Sequence, residues 1–572
     1  MTRLPRGLVL SLAAFAVTVH LPALWAPLML DDHAQRAMVQ GRYPLYSGSP
    51  FDLYDFISEA NRSQLLEQGI IPWWTRPSLV VRFFRPLSSA LVWLDNRVFG
   101  GLTVEQHVHS FVWWAAAALA VHALFRRAFS ARVAVMGAFV FAVAPCHAVP
   151  LVWIANREVL LSTALGTAAL LVYSRWRDEG KVRDALLAFL LFAVAMSAGE
   201  YTLCFGGYVL AIEIVRRRDP VVRRVLGLAC FVLPAVVFFA AHRLLGYGAH
   251  GSGFYLDPLR DFGAYASGAP RRLAVLLGVA WLGLDDRAWS PAPLWSLGLL
   301  VAGAVAVLAV PVARAIRSLE GVARRHAEWL LLGSLLSLGP VLAVEPFARV
   351  LPVAMIGVSA LVALVLDRAW FPPTEEPRRG AAELTGLVAL GLAFAHLVRA
   401  PLDTWLAIRA ASGSASVFED KMAWIRDRVA SHSTVVVLRA ESGETALFAP
   451  FLFDRVAPER WRLLSVGPGR ALLLRTGERT IELAANPLPL FPVGPRDLFR
   501  DADGSLHAGD EVGLGGMRAK VLQLDEHAMP RRLRFAFDRD LDDPSILWLV
   551  EGPMGFREQK MPHKGYGEPL AP

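Results

Sequence analysis

The sequence has 572 residues, of which 55% are hydrophobic and only 19% are charged. Soluble chains usually carry about 25% charged residues, so the composition excludes an ordinary soluble enzyme and favours a polytopic membrane protein. The net charge of +8 lies mostly in short arginine clusters between apolar runs. Nucleic-acid binding would favour one continuous basic face, so we expect no nucleic acid among the partners. The three cysteines lie in apolar runs and form no zinc-ligand or disulfide pattern.

Apolar segments long enough to cross a bilayer recur along the chain, and we predict about eleven spans. The first begins after Arg3 and Arg6 and is long enough to be a retained helix rather than a cleaved signal peptide. A shorter segment at 272–284 is predicted to be interfacial or re-entrant. The predicted spans lie near 7–29, 105–125, 133–152, 158–174, 184–199, 201–215, 222–242, 293–312, 327–345, 348–366 and 381–400.

Basic clusters fall on alternate turns between these spans, for example Arg126 with Arg127 and Arg216 with Arg217. The positive-inside rule places them in the cytoplasm. The sequence therefore predicts a multi-pass protein of a bacterial-type inner membrane, with a cytoplasmic N-terminus and an external C-terminus. We expect membrane lipids to surround the predicted spans. The long loop 30–104 is predicted to lie on the external side.

Two domains are predicted: a membrane domain at 1–400 and a soluble extracytoplasmic domain at 401–572. In the external loop, the spacing of apolar residues at 86–100 predicts an interfacial helix. The overall fold class is mostly α, a polytopic membrane helix bundle with a small C-terminal α+β or β-rich domain. In that domain we predict a helix at 416–430 with Ser416 and Glu419 as a capping box, strands at 433–440, 517–526 and 531–538, and a hairpin at 470–484.

Ionisable and aromatic side chains collect at the predicted external ends of the spans. Each alone has an ordinary explanation, such as a solvated helix end or a packing histidine. Together they favour an active site, because an ion-coupled transporter would need ionisable groups near the membrane midplane instead. These residues are Asp31, Asp32, His33, Arg82, Arg85, His147, Trp153, Asn156, Arg157, Glu158, Glu200, Arg243, Tyr247 and Tyr255.

The order of several motifs resembles the membrane part of GT-C glycosyltransferases. The closest likeness is to protein O-mannosyltransferases that carry tetratricopeptide repeats, although the repeats are absent here. The resemblance covers roughly residues 7–245. It is carried by LDDHAQ (30–35), FFRPLSSALVWLDNRVFG (83–100), HVHSF (107–111), APCHAVPLVWIANREVLLSTALGTAALLVYSRW (144–176) and MSAGEYTLCFGGYVLAIEI (196–214).

Five features of the family pattern have counterparts in this chain. The family has an acidic pair, an arginine–proline pair (R-P), two histidines of which the second is matched, a tryptophan followed by an arginine (W…R), and a lysine–glutamate pair (K-E) of which the acid is matched. The counterparts are Asp31 with Asp32, Arg85 with Pro86, His147, Trp153 with Arg157, and Glu200. Four positions depart from the family pattern: Ala144 and Val149 replace a histidine and a glutamate, Glu158 replaces an aspartate, and Gly199 replaces the lysine. The missing lysine removes an expected phosphate contact.

The resemblance implies transfer of a sugar from a polyprenyl-phosphate-linked donor to a protein, glycan or lipid acceptor on the external face. We predict Asp31 or Asp32 as the catalytic base. Arg157 is the first predicted phosphate ligand, Arg243 is the second, and Arg85 is a further one. His147, Glu200, His33, Trp153 and Tyr247 are predicted to position substrate. The sequence indicates no definite cofactor. Binding of a divalent cation by Asp32 and His147 is left as an open alternative. The alternative is an inactive GT-C-like membrane anchor that presents the C-terminal domain.

Overall fold

The structure, a computed structural model, describes residues 5–372, 379–423, 425–441, 443–453, 458–491, 497–501, 504–552 and 555–570. Helices dominate as far as residue 423, and strands dominate after it. The α-helices are α1 (Arg6–His20), α2 (Asp31–Val39), α3 (Arg62–Gln68), α4 (Pro86–Phe99), α5 (Thr103–Arg126), α6 (Ala131–Ala142), α7 (Ala148–Val152), α8 (Glu158–Glu179), α9 (Val182–Ala198), α10 (Phe205–Val215), α11 (Val221–Leu244), α12 (Phe262–Leu282), α13 (Asp286–Trp289), α14 (Leu294–Arg317), α15 (Gly321–Leu336), α16 (Pro352–Trp370), α17 (Arg379–Ala393), α18 (Ala400–Ala423), α19 (Arg426–Ala430) and α20 (Gly443–Leu452).

Strands form three sheets. The first sheet joins loop 30–104 to the segment after α11 in the order β1-β2-β3, and the other two belong to the C-terminal region, in the orders β13-β6-β7-β10-β9-β8 and β12-β11-β4-β5. The strands are β1 (Asp55–Ile57), β2 (Val80–Arg82), β3 (Gly248–His250), β4 (Thr434–Arg439), β5 (Arg460–Leu463), β6 (Arg470–Arg475), β7 (Thr480–Asn486), β8 (Glu511–Leu514), β9 (Met517–Leu524), β10 (Pro530–Phe537), β11 (Ile546–Gly552), β12 (Gly555–Glu558) and β13 (Gly567–Leu570).

Eight helical segments in the described residues are long and apolar enough to cross a membrane. The number rises to nine if α6 and the segment Pro145–Val152, bent by 48°, form one span. Two further predicted spans are the shorter helices α9, with 17 residues, and α10, with 11 residues. The mostly helical, multi-pass fold with a β-rich C-terminal region is confirmed.

The segment predicted as a short interfacial or re-entrant piece at 272–284 is part of a longer helix. Helix α12 has 21 residues and begins at Phe262. Its start is fixed by Asp261, whose carboxylate accepts a hydrogen bond from the Ala264 N–H at 2.9 Å. This N-cap satisfies a backbone donor that the helix itself leaves free. The predicted start was therefore wrong by ten residues, because an acidic cap lies upstream of the apolar run.

Local sequence signals explain where other helices begin and end. Pro86 opens α4 at the first helical position, where its missing N–H would have no partner in any case. Ser130 caps α6 by accepting from the Val133 N–H at 3.3 Å. Gly180 ends α8 in the left-handed conformation, with φ of 75°. The interfacial segment predicted at 86–100 is thus the helix α4.

The basic clusters meet at one end of the bundle. The Asp178 carboxylate pairs with Arg216, with Arg127 at 3.3 Å and with His326 at 3.9 Å. Asp178 lies at the end of α8, and Glu158 begins the same helix. The two residues are therefore about 30 Å apart, because an α-helix rises about 1.5 Å per residue. The loops after α5, α8 and α10 and the start of α15 therefore share one end of the bundle.

The strands predicted in the C-terminal region are present as β4, β9 and β10, and the predicted hairpin is β6 with β7. Helices α17 and α18 are joined by a π-helical segment at Phe394–Arg399, so the helix continues across residue 400, where the domain boundary is predicted. The predicted capping role of Ser416 is wrong. Ser416 lies inside α18, and its hydroxyl donates to the Ser412 carbonyl at 3.0 Å.

Loop 30–104 shares a hydrophobic core with the C-terminal region. Trp74 stacks on Phe491 with ring centroids 4.3 Å apart, and Trp73 Nε1 donates to the Leu464 carbonyl at 3.2 Å. Arg500 Nε donates to the Trp74 carbonyl at 2.7 Å. Loop and C-terminal region are therefore packed together at the same end of the bundle.

Candidate active site

Five separate connections meet at the end of the bundle that carries the C-terminal region. They are the start of α2, the start of α4, the short 3-10 helices Ile154–Arg157 and Glu200–Cys204, and the 3-10 helix Ala348–Val350. Their side chains are in contact or within electrostatic range of one another. We call this group the polar cluster; it consists of Asp31, Arg85, Glu158, Glu200 and Arg349.

Arg85 links the two glutamates of the polar cluster. Its Nε donates to Glu200 Oε2 at 3.1 Å, and its Nη1 lies 3.4 Å from Glu158 Oε1. The guanidinium also lies over the rings of Phe83 and Tyr54, at 4.6 and 4.9 Å. Burial raises the pKa of Glu200, but the charge and hydrogen bond of Arg85 outweigh it, and the net shift is downward. Glu200 is therefore ionised at neutral pH.

Arg349 is the functional candidate that the sequence analysis missed. It makes no hydrogen bond or ion pair within the described residues, and its guanidinium lies over the ring of Trp153 at 5.0 Å. Burial lowers its pKa, while Tyr255, Glu158 and Asp31 act in the opposite direction. The predicted span 348–366 had absorbed this residue. The available signal was a lone arginine between Pro346 and Pro352, at the predicted external end of that span.

The two adjacent aspartates at the start of α2 have different surroundings. Asp32 is buried, and its carboxylate accepts backbone hydrogen bonds from Met29 at 3.0 Å, Ile154 at 3.3 Å and Ala155 at 2.7 Å. Burial raises the pKa of Asp32 to about 7. Asp31 is half-buried and acts electrostatically on Arg349. Asp32 thus ties α2 to the 3-10 helix before α8, and Asp31 belongs to the polar cluster.

The backbone immediately before Asp31 is in an unusual conformation. Leu30 has φ of 45° and ψ of −114°, a region that residues with a side chain seldom adopt. Such conformations occur mostly at functional sites, where the surrounding structure holds them. Here the hydrogen bond from Met29 to Asp32 holds the turn, so Asp32 positions Asp31.

Three buried polar atoms beside the polar cluster have no hydrogen-bond partner among the residues that the structure describes. They are Trp153 Nε1, Asn156 Oδ1 and Glu158 Oε2. Buried polar groups in folded proteins are nearly always paired with protein or ordered water. Donor and acceptor atoms of this kind can bind a polar ligand.

Arg157, the first predicted phosphate ligand, is engaged inside the protein. Only 2% of its side chain is exposed, and it pairs with the equally buried Asp95. Its Nε donates to Ser110 Oγ at 2.8 Å and its Nη2 donates to the Gln106 carbonyl at 2.7 Å. Its contacts join α4, α5 and the 3-10 helix before α8, so its phosphate-binding role stays a prediction.

The two predicted positioning histidines are both buried. His147 lies 4.7 Å from the Phe141 ring, and its Nε2 is 2.9 Å from the Phe141 carbonyl oxygen. His33 has its ring edge towards Phe418 at 5.8 Å, and burial lowers its pKa to about 4. The contacts of both rings are packing contacts with aromatic neighbours.

Arg243, in the last turn of α11, and Tyr247, just after the helix, contact carboxylates of their own. Arg243 pairs with Asp257 at 2.8 Å. The Tyr247 hydroxyl donates to Asp52 at 2.8 Å, and Arg82 lies over the Tyr247 ring at 4.5 Å. Strand β3, which pairs with β2, fixes this loop against loop 30–104.

No group of three or more His, Cys, Asp or Glu side chains that could hold a metal ion occurs in the described part of the chain. Asp32 accepts hydrogen bonds from the backbone, and His147 packs on Phe141. A cation held by Asp32 and His147 stays a prediction.

No protein-family model matches the sequence, and no curated protein matches it. Among solved structures, it is similar to the apo oligosaccharyltransferase of Archaeoglobus fulgidus, with 13% identity, a TM-score of 0.41, and coverage of 81% of this chain and 64% of that one. This chain thus spans less than two thirds of that enzyme.

Two further solved structures are similar. One is ArnT from Cupriavidus metallidurans bound to undecaprenyl phosphate, with 14% identity, a TM-score of 0.43, and coverage of 93% of this chain and 98% of that one. The other is the mycobacterial arabinofuranosyltransferase AftD, with 14% identity, a TM-score of 0.36, and coverage of 94% and 40%. Similarity at this level carries no argument about activity, which has to rest on the polar cluster.

Proposed function

We propose that this chain is a membrane glycosyltransferase that transfers a sugar from a polyprenyl-phosphate-linked donor to an acceptor hydroxyl. The observation that supports it is the polar cluster, where Arg349, without an ion pair in the described residues, acts electrostatically on Asp31. A partly buried guanidinium whose N–H groups make no hydrogen bond or ion pair in the described residues suits an anionic ligand. A carboxylate beside it suits proton removal from an acceptor.

In the proposed reaction, the acceptor oxygen attacks the anomeric carbon while the bond from that carbon to the donor phosphate breaks. Polyprenyl phosphate leaves with the bonding electron pair, and Asp31 takes the acceptor proton. Arg349 binds the phosphate and stabilises its developing charge, because a guanidinium donates two parallel hydrogen bonds to phosphate oxygens. Arg85 is the second phosphate candidate. A single displacement of this kind inverts the anomeric configuration.

The other residues of the site act as positioning residues in this proposal. Glu158 and Glu200 hold Arg85, and the ring of Trp153 supports Arg349. Asp32 fixes the turn that presents Asp31. The buried atoms without partners, such as Trp153 Nε1, are candidates to bind sugar hydroxyls.

The lysine that the family has before Glu200 is Gly199 here, and Arg85 occupies the neighbouring space. A Cβ at residue 199 would lie 3.3 to 3.5 Å from Arg85 side-chain atoms, and φ there is 156°. A lysine at this position would crowd Arg85. We therefore propose that arginine takes over the charge that the family lysine provides.

A labelling experiment tests this function. Membranes that contain the chain are incubated with a series of polyprenyl-phosphate-linked labelled sugars, and the labelled protein, glycan or lipid product is isolated. We expect transfer from at least one donor and a loss of about 10²-fold or more in Asp31→Asn, as for a lost general base. No transfer from any donor by the folded wild-type protein would favour the inactive-anchor alternative and contradict the proposal.

A further inference from the structure

A second charged site lies at the opposite end of the bundle, about 30 Å from the polar cluster along α8. It is a pocket between the ends of α8 and α10 and the start of α15. Its polar lining consists of Ser174, Arg177, Asp178, Arg216, Arg325 and His326. Three arginines thus face a single carboxylate in the lining.

The carboxylate of this pocket is already neutralised. Asp178 pairs with Arg216 and, from outside the pocket lining, with Arg127 at 3.3 Å. Arg177 is itself balanced by Glu213 at 2.7 Å and Asp219 at 3.1 Å. Within the described residues, Arg325 contacts no carboxylate. Arg127 also pairs with Glu179, and Arg216 also lies 3.7 Å from Asp219, so Arg325 is the positive charge of the lining that no carboxylate in the described residues pairs with.

Two buried nitrogen atoms of the lining have no hydrogen-bond partner in the part of the chain that the structure describes. They are Arg177 Nη1 and His326 Nε2. The residues that carry them are 1% and 3% exposed. His326 Nε2 lies 3.9 Å from the Asp178 carboxylate, beyond hydrogen-bond distance, and buried nitrogens without a hydrogen bond are usually explained by ordered water or a bound ion. Here they line a pocket of about 10 Å³, the size of one water molecule, so a larger ligand binds at its mouth.

The surroundings of the pocket are those of a membrane interface. Ile212, Val215 and Trp329 complete the lining. The apolar side chains of Ile214 and Val322, on the same helices, are 41% and 42% exposed. Arg325, in contrast, is exposed and lies at the polar end of α15. Basic pockets between helix ends, with apolar flanks, are suited to the headgroups of anionic phospholipids.

We propose that this pocket binds the phosphate group of an anionic membrane phospholipid, on the membrane face opposite the polar cluster. The phosphate lies at the mouth of the pocket, on Arg216 and the exposed Arg325, and the acyl chains lie along Ile214 and Val322. The site takes no part in sugar transfer, and the bound lipid is not chemically changed. It anchors the ends of three helices, α8, α10 and α15, to that leaflet.

Binding of phosphatidylglycerol to the full-length purified protein tests this site. Arg325→Gln should weaken binding about tenfold, the usual effect of losing one charge-assisted hydrogen bond. The matched control is Arg217→Gln, an exposed arginine that does not line the pocket. It should change binding less than about twofold, since it removes only a screened surface charge.

Native mass spectrometry in phosphatidylglycerol and phosphatidylcholine mixtures gives the affinity, and inorganic phosphate serves as competitor. Retention of phosphatidylglycerol over phosphatidylcholine, with loss only in Arg325→Gln, supports the lipid site. Equal losses in Arg325→Gln and Arg217→Gln, or no preference for the anionic lipid, would overturn it. Displacement by millimolar inorganic phosphate would also overturn it, because the occupant would then be free phosphate. None of these readouts depends on transferase activity.

Discussion

At the scale of single residues, Asp31 and Asp32 show how neighbouring carboxylates acquire different roles. Successive residues on a helix point in directions about 100° apart, so one side chain enters the protein while the other faces the cluster. Asp32 accepts three backbone hydrogen bonds and is 4% exposed. Asp31 is half-buried, and its negative charge favours the protonated form of Arg349. This difference assigns the structural role to Asp32 and the proposed base to Asp31.

The raised pKa of Asp32 gives the first prediction. Its pKa is 3.8 when solvated and about 7 in the folded protein, so the folded state favours the protonated form. The associated stability is present below about pH 4 and is lost as the pH rises to about 7. We expect the melting temperature of the wild type to fall over this range and that of Asp32→Asn to fall less.

The measurement is thermal unfolding of both proteins in detergent at several pH values, with Asp31→Asn as the control that keeps Asp32. Identical pH dependence in wild type and Asp32→Asn would show that Asp32 does not titrate in this way.

Arg349 gives the second prediction. Arg349→Gln should keep the fold, because no ion pair among the described residues is broken, and should weaken binding of polyprenyl phosphate about tenfold or more. Arg409→Gln is the matched control, since Arg409 also lies over a tryptophan ring, Trp405, at 5.5 Å, but on the exposed face of α18. Equal affinity of Arg349→Gln and Arg409→Gln for the lipid would contradict the assignment.

At the scale of elements, short 3-10 helices rather than long spans position the site. The segments Glu200–Cys204 and Ala348–Val350 carry the cluster residues Glu200 and Arg349, and the segment Ile154–Arg157 leads directly into Glu158 at the start of α8. Their ends leave backbone groups free of helical bonds. Asp32 uses two of these groups, the N–H groups of Ile154 and Ala155. The site therefore depends on contacts between connections that are distant in sequence.

A substitution at Gly199 tests one of these contacts, the close approach of Gly199 to the Arg85 side chain. Gly199→Ala places a Cβ 3.3 to 3.5 Å from Arg85 atoms at a φ of 156°. We expect a loss of about 1–2 kcal/mol in stability and weaker donor binding, because the backbone is strained and Arg85 must shift. In Gly386→Ala, where a Cβ would meet nothing within 4 Å in helix α17, stability should be unchanged or higher. Thermal unfolding and lipid binding of both variants measure this; equal behaviour would contradict the close packing at Gly199.

Individual elements were predictable where the signal is local. The helix at 86–100 and the hairpin at 470–484 follow from periodicity and turn residues, which depend on neighbours in sequence. The start of α12 was missed because a capping aspartate precedes the apolar run. The pairing of Arg157 with Asp95 was also missed, because it joins residues 62 positions apart. Sequence order alone does not reveal such a partner.

At the scale of the whole molecule, charge separates the two ends of the bundle. Arginine-rich loops converge on Asp178 at one end, and the polar cluster lies at the other. The separation was predictable, because the positive-inside rule acts on loops counted along the chain. The shared core of loop 30–104 and the C-terminal region was not, because it requires contacts between segments about 400 residues apart.

That shared core gives a prediction for the whole molecule. Trp74→Ala removes the ring that stacks on Phe491 at 4.3 Å, and replacing a buried tryptophan by alanine costs about 3–5 kcal/mol. We expect limited proteolysis to cut loop 30–104 faster in this variant. Trp295→Ala, at a position that is 71% exposed, is the control and should be cut at the wild-type rate. Equal cleavage in both variants would contradict the packing of the loop on the C-terminal region.

The rate at which purified protein releases polyprenyl phosphate from a labelled polyprenyl-phosphate sugar, with acceptor present, tests the central claim most directly. We predict turnover by the wild type and a loss of about 10²-fold or more in Asp31→Asn, with donor binding retained. Asp32→Asn should retain more activity than Asp31→Asn. Wild-type turnover that persists unchanged in folded Asp31→Asn would contradict the account, because the polar cluster would then lack its base.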